Sequence, residues 1–202
     1  MVACGLALVA LLGSSCGLPI EPGSTQGASA APAPAKATTG KVGEMLPKIA
    51  GKVTKGGKAA DFDSAAQKNI TVYLLVGTTC PATKPYADRF LALEKAYSAK
   101  AVDFVYLYPN VTESDADKAK FHADLKFAGA FFNDKGAAIA KALDAKKTGE
   151  ALVVGKEGKV LYRGGIDDNL DASKAKVKFL ANALDEVTAG KAVTKTTGDV
   201  FG

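Results

Sequence analysis

The stretch Ile70-Thr71-Val72-Tyr73-Leu74-Leu75-Val76-Gly77-Thr78-Thr79-Cys80-Pro81 runs directly into Ala82-Thr83-Lys84-Pro85-Tyr86-Ala87-Asp88-Arg89-Phe90-Leu91-Ala92-Leu93-Glu94-Lys95-Ala96-Tyr97. Its first seven residues form a continuous apolar, β-branched run, the pattern of a strand covered on both faces. From Pro81 the period changes, and Phe90, Leu93, Ala96 and Tyr97 fall at helical spacing. A buried strand therefore hands over to a helix, and Cys80 stands at the junction. Unpaired N–H groups and the positive end of the helix dipole favour thiolate over thiol there, which predicts a nucleophilic cysteine. The competing reading is a buried structural cysteine, although a strand-to-helix junction is seldom a packing site.

Strand and helix patterns alternate on either side of this junction. Ala101 to Tyr108 reads as a second strand ending at Pro109-Asn110, and Ser114-Asp115-Ala116-Asp117 opens a helix that continues to about Leu125. Phe131-Phe132 precedes Asn133-Asp134-Lys135-Gly136, a turn by composition, and an Ala-rich helix runs to Leu143. Ala151–Val154 and Val160–Tyr162 flank a Gly-containing loop and read as a β-hairpin. A final amphipathic helix is expected from about Ala172 to Ala189, with Val177, Leu180, Leu184 and Val187 on one stripe. The order β-α-β-α-(α)-β-β-α predicts an α/β sandwich around a central mixed sheet that closes with a hairpin and a helix.

The chain's beginning points to export. Residues 1–16 are a short apolar stretch, too short to span a bilayer, that ends in small residues and Cys16. This ending resembles the bacterial lipoprotein signal, which implies that Cys16 is acylated and anchors the chain to a membrane. An ordinary cleaved signal is the alternative. On the lipoprotein reading Cys4 leaves with the signal and Cys16 is consumed as a thioether, so Cys80 has no internal partner for a disulfide. Residues 17–40 are rich in Pro, Ala, Ser, Gly and Thr and read as a flexible tether. Residues 41–202 have the size of one domain with one core.

The reactive thiol at the end of the first central strand, with the closing hairpin and helix, resembles the thioredoxin fold. More narrowly, the domain is similar to the redoxin branch of the alkyl hydroperoxide reductase and thiol-specific antioxidant superfamily. The residues that carry the resemblance are Val42-Gly43-Glu44, Leu74 to Pro81, Asn133-Asp134-Lys135-Gly136, and Val160 to Asp168. It implies a thioredoxin-like α/β/α sandwich and thiol redox chemistry at Cys80. Three departures bear on the transfer. The fourth position of Cys80-Pro81-Ala82-Thr83 is threonine, which excludes two-thiol exchange within that motif. The loop facing the nucleophile in this fold usually pairs a threonine with a cis proline; here it reads Thr148-Gly149-Glu150, and a different, looser loop is expected. Relatives also continue beyond the phenylalanine-glycine of the tail into another cysteine, where this sequence ends at Phe201-Gly202.

A single-thiolate mechanism remains open, in which Cys80 attacks a peroxide oxygen or a disulfide sulfur and an external thiol clears the product. Thr79 and Thr83 are candidates to hydrogen-bond the sulfur or an incoming oxygen, Thr79 being alternatively a helix cap. Arg163, one of two arginines in a chain with 26 basic residues, is either an oxyanion-holding site residue or the partner of Asp167 or Asp168. No cofactor and no metal are expected. The single histidine, His122, reads as exposed on a polar helix, so His-based metal sites and Ser-His-Asp catalysis lack their parts. The run Asp167 to Asp171 lacks the glycine and terminal glutamate of a calcium loop and reads as a polar turn capping the last helix. Asn110-Val111-Thr112 matches a glycosylation acceptor, a pattern common by chance. The net charge of +5 is spread as lysine without aromatic interleaving, which argues against nucleic acid, while anionic lipid would attract it weakly. Two functions follow: an envelope-tethered single-cysteine peroxidase or reductase, or an inactive binding module on the same fold. The partners implied are a peroxide or disulfide-bearing protein, an external thiol reductant and a membrane.

Overall fold

The computed structural model describes residues 39–201. The expected signal, Cys4, Cys16 and nearly all of the tether lie outside the described residues. Strand β1 (Ala50–Lys55) and strand β2 (Lys58–Asp63) form a hairpin turned by Gly56 and Gly57, both at positive φ. Strand β3 (Ile70–Leu75), helix α1 (Thr83–Tyr97) and strand β4 (Val102–Tyr108) make the first parallel crossover. Helix α2 (Asp115–Asp124) leads to strand β5 (Ala130–Asn133), and helix α3 (Ala138–Ala142) to the hairpin of β6 (Ala151–Val154) and β7 (Val160–Gly164). Helix α4 (Phe179–Thr188) and the two-residue strand β8 (Thr197–Gly198) follow. The eight strands form one mixed sheet in the order β2-β1-β5-β4-β3-β6-β7-β8.

Every residue of β3 is buried, and alternate residues serve opposite faces. Ile70, Val72, Leu74 and Val76 join a core with Tyr86 and Phe90 of α1 and Leu180 and Leu184 of α4. Tyr73 and Leu75 join the other core, with Val105, Leu107, Leu143, Leu152 and Val160. This double cover is what the apolar run predicts, and it places β3 in the middle of the sheet. The hairpin and the β3-α1-β4 unit stand where the sequence puts them. The helix after Cys80 begins at Thr83 rather than at Pro81.

Four strands go beyond the sequence reading. The first hairpin and β8 are largely exposed polar segments, and β5 has four residues, too few for a period to show. The last helix is also shorter than its apolar stripe suggests. Residues 172–178 form a loop in which one Asp168 side-chain oxygen, Oδ1, accepts from the amides of Lys176 and Val177, at 2.8 and 3.0 Å. The acidic run therefore organises this loop and does not cap α4, which starts at Phe179 without a side-chain cap.

His122 corrects another expectation, because it is 6% exposed and not on the solvent face. Helix α2 is polar on one side only; Lys118 and His122, one turn apart, face the sheet, where the imidazole sits among Tyr106, Tyr108, Phe127 and Phe131. The Tyr108 hydroxyl lies 3.2 Å from Nδ1 and the Gly129 carbonyl 3.0 Å from Nε2. A neutral ring protonated on Nε2 satisfies both neighbours. Desolvation by burial pushes the His122 pKa down from 6.5 to about 4, against the hydrogen bonds from the ring to Gly129 and Phe127. Its folded pKa is depressed, so the stability it confers is complete above 6.5 and is lost as pH falls towards 4, by up to about 3 kcal/mol. Urea midpoints at about pH 7.5, above that window, and about pH 4.5, well into it, are expected to differ more for the wild type than for His122→Phe.

Candidate active site

The site is built on the C-terminal end of β3. Val76 N–H donates to the Leu107 carbonyl (2.9 Å), which carries the ladder one residue past the strand. The chain then turns through Gly77, where an added Cβ would lie 3.2 Å from Cys80 Cβ and 3.5 Å from Thr148 Oγ1. Glycine thus lets Cys80 and the Thr148 hydroxyl converge on one point above the strand. Cys80 is partly exposed, packs against the α1 and α4 core, and is unpaired among the described residues. Its carbonyl accepts from Thr83 N–H (3.1 Å), so the sulfur's residue sits one turn ahead of α1.

Both neighbouring threonines are committed elsewhere, which corrects the role expected for them. The Thr83 side chain is fully buried and its hydroxyl donates to the Gly77 carbonyl at 2.7 Å, closing the turn around Cys80. The Thr79 hydroxyl and amide both donate to Glu113 Oε1, at 3.1 and 3.2 Å. Neither threonine has a hydroxyl proton left for the sulfur or an incoming oxygen, and Thr79 does not cap α1. Glu113, from the loop after β4, is the residue that the sequence reading missed. It is 8% exposed, takes a further bond from Asn110 Nδ2 (2.9 Å), and keeps Oε2 buried without a partner. Burial opposes its ionisation, but the bonds from Thr78, Thr79 and Asn110 outweigh it and hold the carboxyl below the usual range. Asn110 also accepts from Thr112 through Oδ1, so its side chain is engaged in the site loop.

The facing loop is tight where a looser one was expected. Gly149 N–H donates to the Leu75 carbonyl (2.9 Å) and Leu75 N–H to the Glu150 carbonyl (3.0 Å), so Thr148-Gly149-Glu150 is laced to the end of β3. Gly149 has φ +82 and an added Cβ would lie 2.7 Å from the Tyr86 ring, so only glycine fits. Proline, locked near φ −65° and lacking the N–H, is incompatible with this conformation.

Arg163 is neither at the thiol nor paired with Asp167 or Asp168. Its Nε donates to Glu150 Oε1 (2.7 Å), Nη1 to the carbonyls of Thr39, Gly40 and Leu143 (3.1, 3.3 and 2.7 Å), and Nη2 to that of Asp144 (2.9 Å). It thereby staples β7, the end of α3, the start of the domain and the Thr148 loop together. Asp167 pairs instead with Arg89, whose guanidinium also meets the carbonyls of Asn169 and Leu170 and covers the Tyr86 ring. The sequence distance between these partners hid both pairings. Among the described residues no group of three or more His, Cys, Asp or Glu side chains is placed to hold a metal ion.

A thiol at the end of a buried central strand, the only one among the described residues, facing a threonine loop in an α/β sandwich with a closing hairpin, defines a thioredoxin-like protein. Residues 41–179 match the Redoxin family, and the chain belongs to that family. Among solved structures, an uncharacterized conserved protein from Geobacillus kaustophilus is 23% identical with a TM-score of 0.69, covering 78% of this chain and 88% of its own. A hypothetical protein from Sinorhizobium meliloti is 18% identical with a TM-score of 0.71, covering 80% and 92%. The thioredoxin domain of a thiol-disulfide oxidoreductase from Bacteroides vulgatus is 13% identical with a TM-score of 0.52, covering 61% and 87%. At such identities the likeness is one of fold. No curated protein matches the sequence.

Because lysine presents one point donor where Arg163 presents a planar fork, Arg163→Lys is expected to lower folding stability by about 3 kcal/mol. Chemical denaturation measures it, and a loss under ~0.5 kcal/mol would show that the staple contributes little.

Proposed function

We propose that this redoxin acts through Cys80 as a single-cysteine thiol redox protein, held at the bacterial cell envelope by a lipid on Cys16. The observation that supports it most is the placement of a partly exposed, unpaired thiol at the one point where the β3 end, the Glu113-held loop and the Thr148 loop converge. In the reaction the Cys80 thiolate attacks the terminal oxygen of a hydroperoxide. An S–O bond forms, the O–O bond breaks, sulfur gives two electrons, and the departing alkoxide or hydroxide takes a proton. The resulting sulfenic acid is attacked by an external thiol, which forms a mixed disulfide and releases water; a second thiol then frees Cys80. Attack on a substrate disulfide would enter the same cycle at the mixed disulfide. The proposed partners are therefore a peroxide or disulfide substrate, a thiol reductant and the membrane, with no cofactor.

A second reading has its own support. The Thr79 and Thr83 hydroxyls are spent on Glu113 and Gly77, so the site offers the transition state few donors, as in a binding module that has lost turnover. Peroxide consumption by the purified domain separates the two. On the redox reading, Cys80 forms sulfenic acid faster than a free thiol such as glutathione, turnover needs added thiol, and Cys80→Ser abolishes consumption. Unchanged consumption by the serine variant would remove Cys80 from the chemistry.

A further inference from the structure

Beyond α4 the chain returns across the sheet edge to the thiol side. Arg163 N–H donates to the Thr196 carbonyl (3.0 Å) and Gly165 N–H to the Gly198 carbonyl (3.1 Å), so β8 pairs in parallel with β7. Asp199, Val200 and Phe201 then continue towards the Thr148 loop. Lys147 Nζ reaches the Val200 carbonyl at 3.4 Å, and the Phe201 carbonyl lies 3.5 Å from where a Gly149 Cβ would be. Gly149 follows Thr148, whose hydroxyl shares with Cys80 the point above Gly77. Residues 200 and 201 thus lie beside the loop that faces the sulfur.

The tail's path is cut into the sequence of its neighbours. A Cβ on Gly164 would collide with the backbone of Gly198, and one on Gly165 would overlap the Asp199 carbonyl outright. A Cβ on Gly198 would lie 2.5 Å from the Phe179 ring. Gly164 and Gly165 therefore let two backbones approach more closely than side chains allow, and Gly198 lets the strand pass the Phe179 ring. The segment they admit runs from β8 past Gly165 to the Thr148 loop. Among the described residues the Thr148 amide and carbonyl make no hydrogen bond. An extended polypeptide adding its backbone to this edge would need the lane that residues 199–201 already fill. A hydroperoxide, which has no backbone to dock, needs only a path to the sulfur, and Cys80 is partly exposed.

We propose that residues 199–201 form a strap that selects the substrate class of Cys80, admitting small oxidants and excluding polypeptide disulfides. This rests on the redox reading of Cys80 and narrows it to peroxide. The strap is held by few bonds, so its removal exposes the lane without dismantling the cores. The test compares the full chain with a variant ending at Gly198 and with Gly165→Ala, which keeps the length but drives Asp199 off β7. Each is reacted with hydrogen peroxide and with a cysteine-containing peptide carrying a 5-thio-2-nitrobenzoate leaving group, whose release reports attack by Cys80. Both variants are expected to attack the peptide disulfide roughly tenfold to a hundredfold faster than the full chain, the gain in open population when a few hydrogen bonds are lost. Their rates with peroxide are expected to stay within about twofold, since a small oxidant passes the strap in place. Equal peptide rates in all three proteins, or a peroxide rate that rises as much as the peptide rate, would overturn the strap. The variant-to-wild-type ratio judges the strap whatever the intrinsic reactivity of Cys80, while the absolute peroxide rate judges the redox reading. Circular dichroism confirms that each variant is folded, and the Gly165→Ala protein decides the question if the shortened chain is not.

Discussion

The backbone of Leu75 is the point on which the site depends. Its N–H is taken by the Glu150 carbonyl and its carbonyl by the Gly149 amide, at 3.0 and 2.9 Å, while the next amide, of Val76, reaches Leu107. Leu75 is 3% exposed, so water cannot replace those partners and leaving them unmade would cost the desolvation of each group. The Thr148 loop is consequently bound to the strand that carries Cys80 through main-chain bonds that no surface substitution removes. The approach of thiol and threonine is a property of the sheet's end and not of side-chain contacts between them.

Around that point the protein uses buried ionic groups chiefly to hold backbone. Glu94 accepts from the amides of Ala128 and Gly129, Asp134 from those of Ile139 and Ala140, Glu113 from Thr79, and Arg163 donates to four carbonyls besides Glu150. Each satisfies polar groups at a place where an element ends and the regular ladder has no partner to offer. Two of these brackets, at Glu113 and Arg163, lie around the Cys80 turn or the Thr148 loop, and the Arg89–Asp167 pair adds a third support through the Tyr86 ring beneath Gly149. The site is thus rigid by its charged supports while its reactive atom is left partly open.

Gly149 and Thr83 each account for one departure from the thioredoxin pattern. A residue at φ +82 that donates its amide to β3 cannot be proline, and the Tyr86 ring beneath it excludes any side chain. The loop is therefore a different solution to the same geometric problem, pinned by an N–H that a proline lacks. With residue 83 a buried threonine bonded to Gly77, the turn is closed by a hydroxyl where a second thiol would stand in a two-cysteine relative.

What the amino-acid order determined by itself was the central strand, the helix after it, the closing hairpin and the place of Cys80. Each of these is written in a local period or in turn residues that act over a few neighbours. His122, Glu113 and the partners of Arg163 and Arg89 were decided only in three dimensions, because most of their bonds join residues 7 to 124 positions apart and the pattern around them is polar. The short strands β5 and β8 belong with them, since a strand of four or two residues exists by virtue of the edge it joins. Local chemistry named the sulfur, and long-range hydrogen bonding, which no window of sequence contains, arranged what surrounds it.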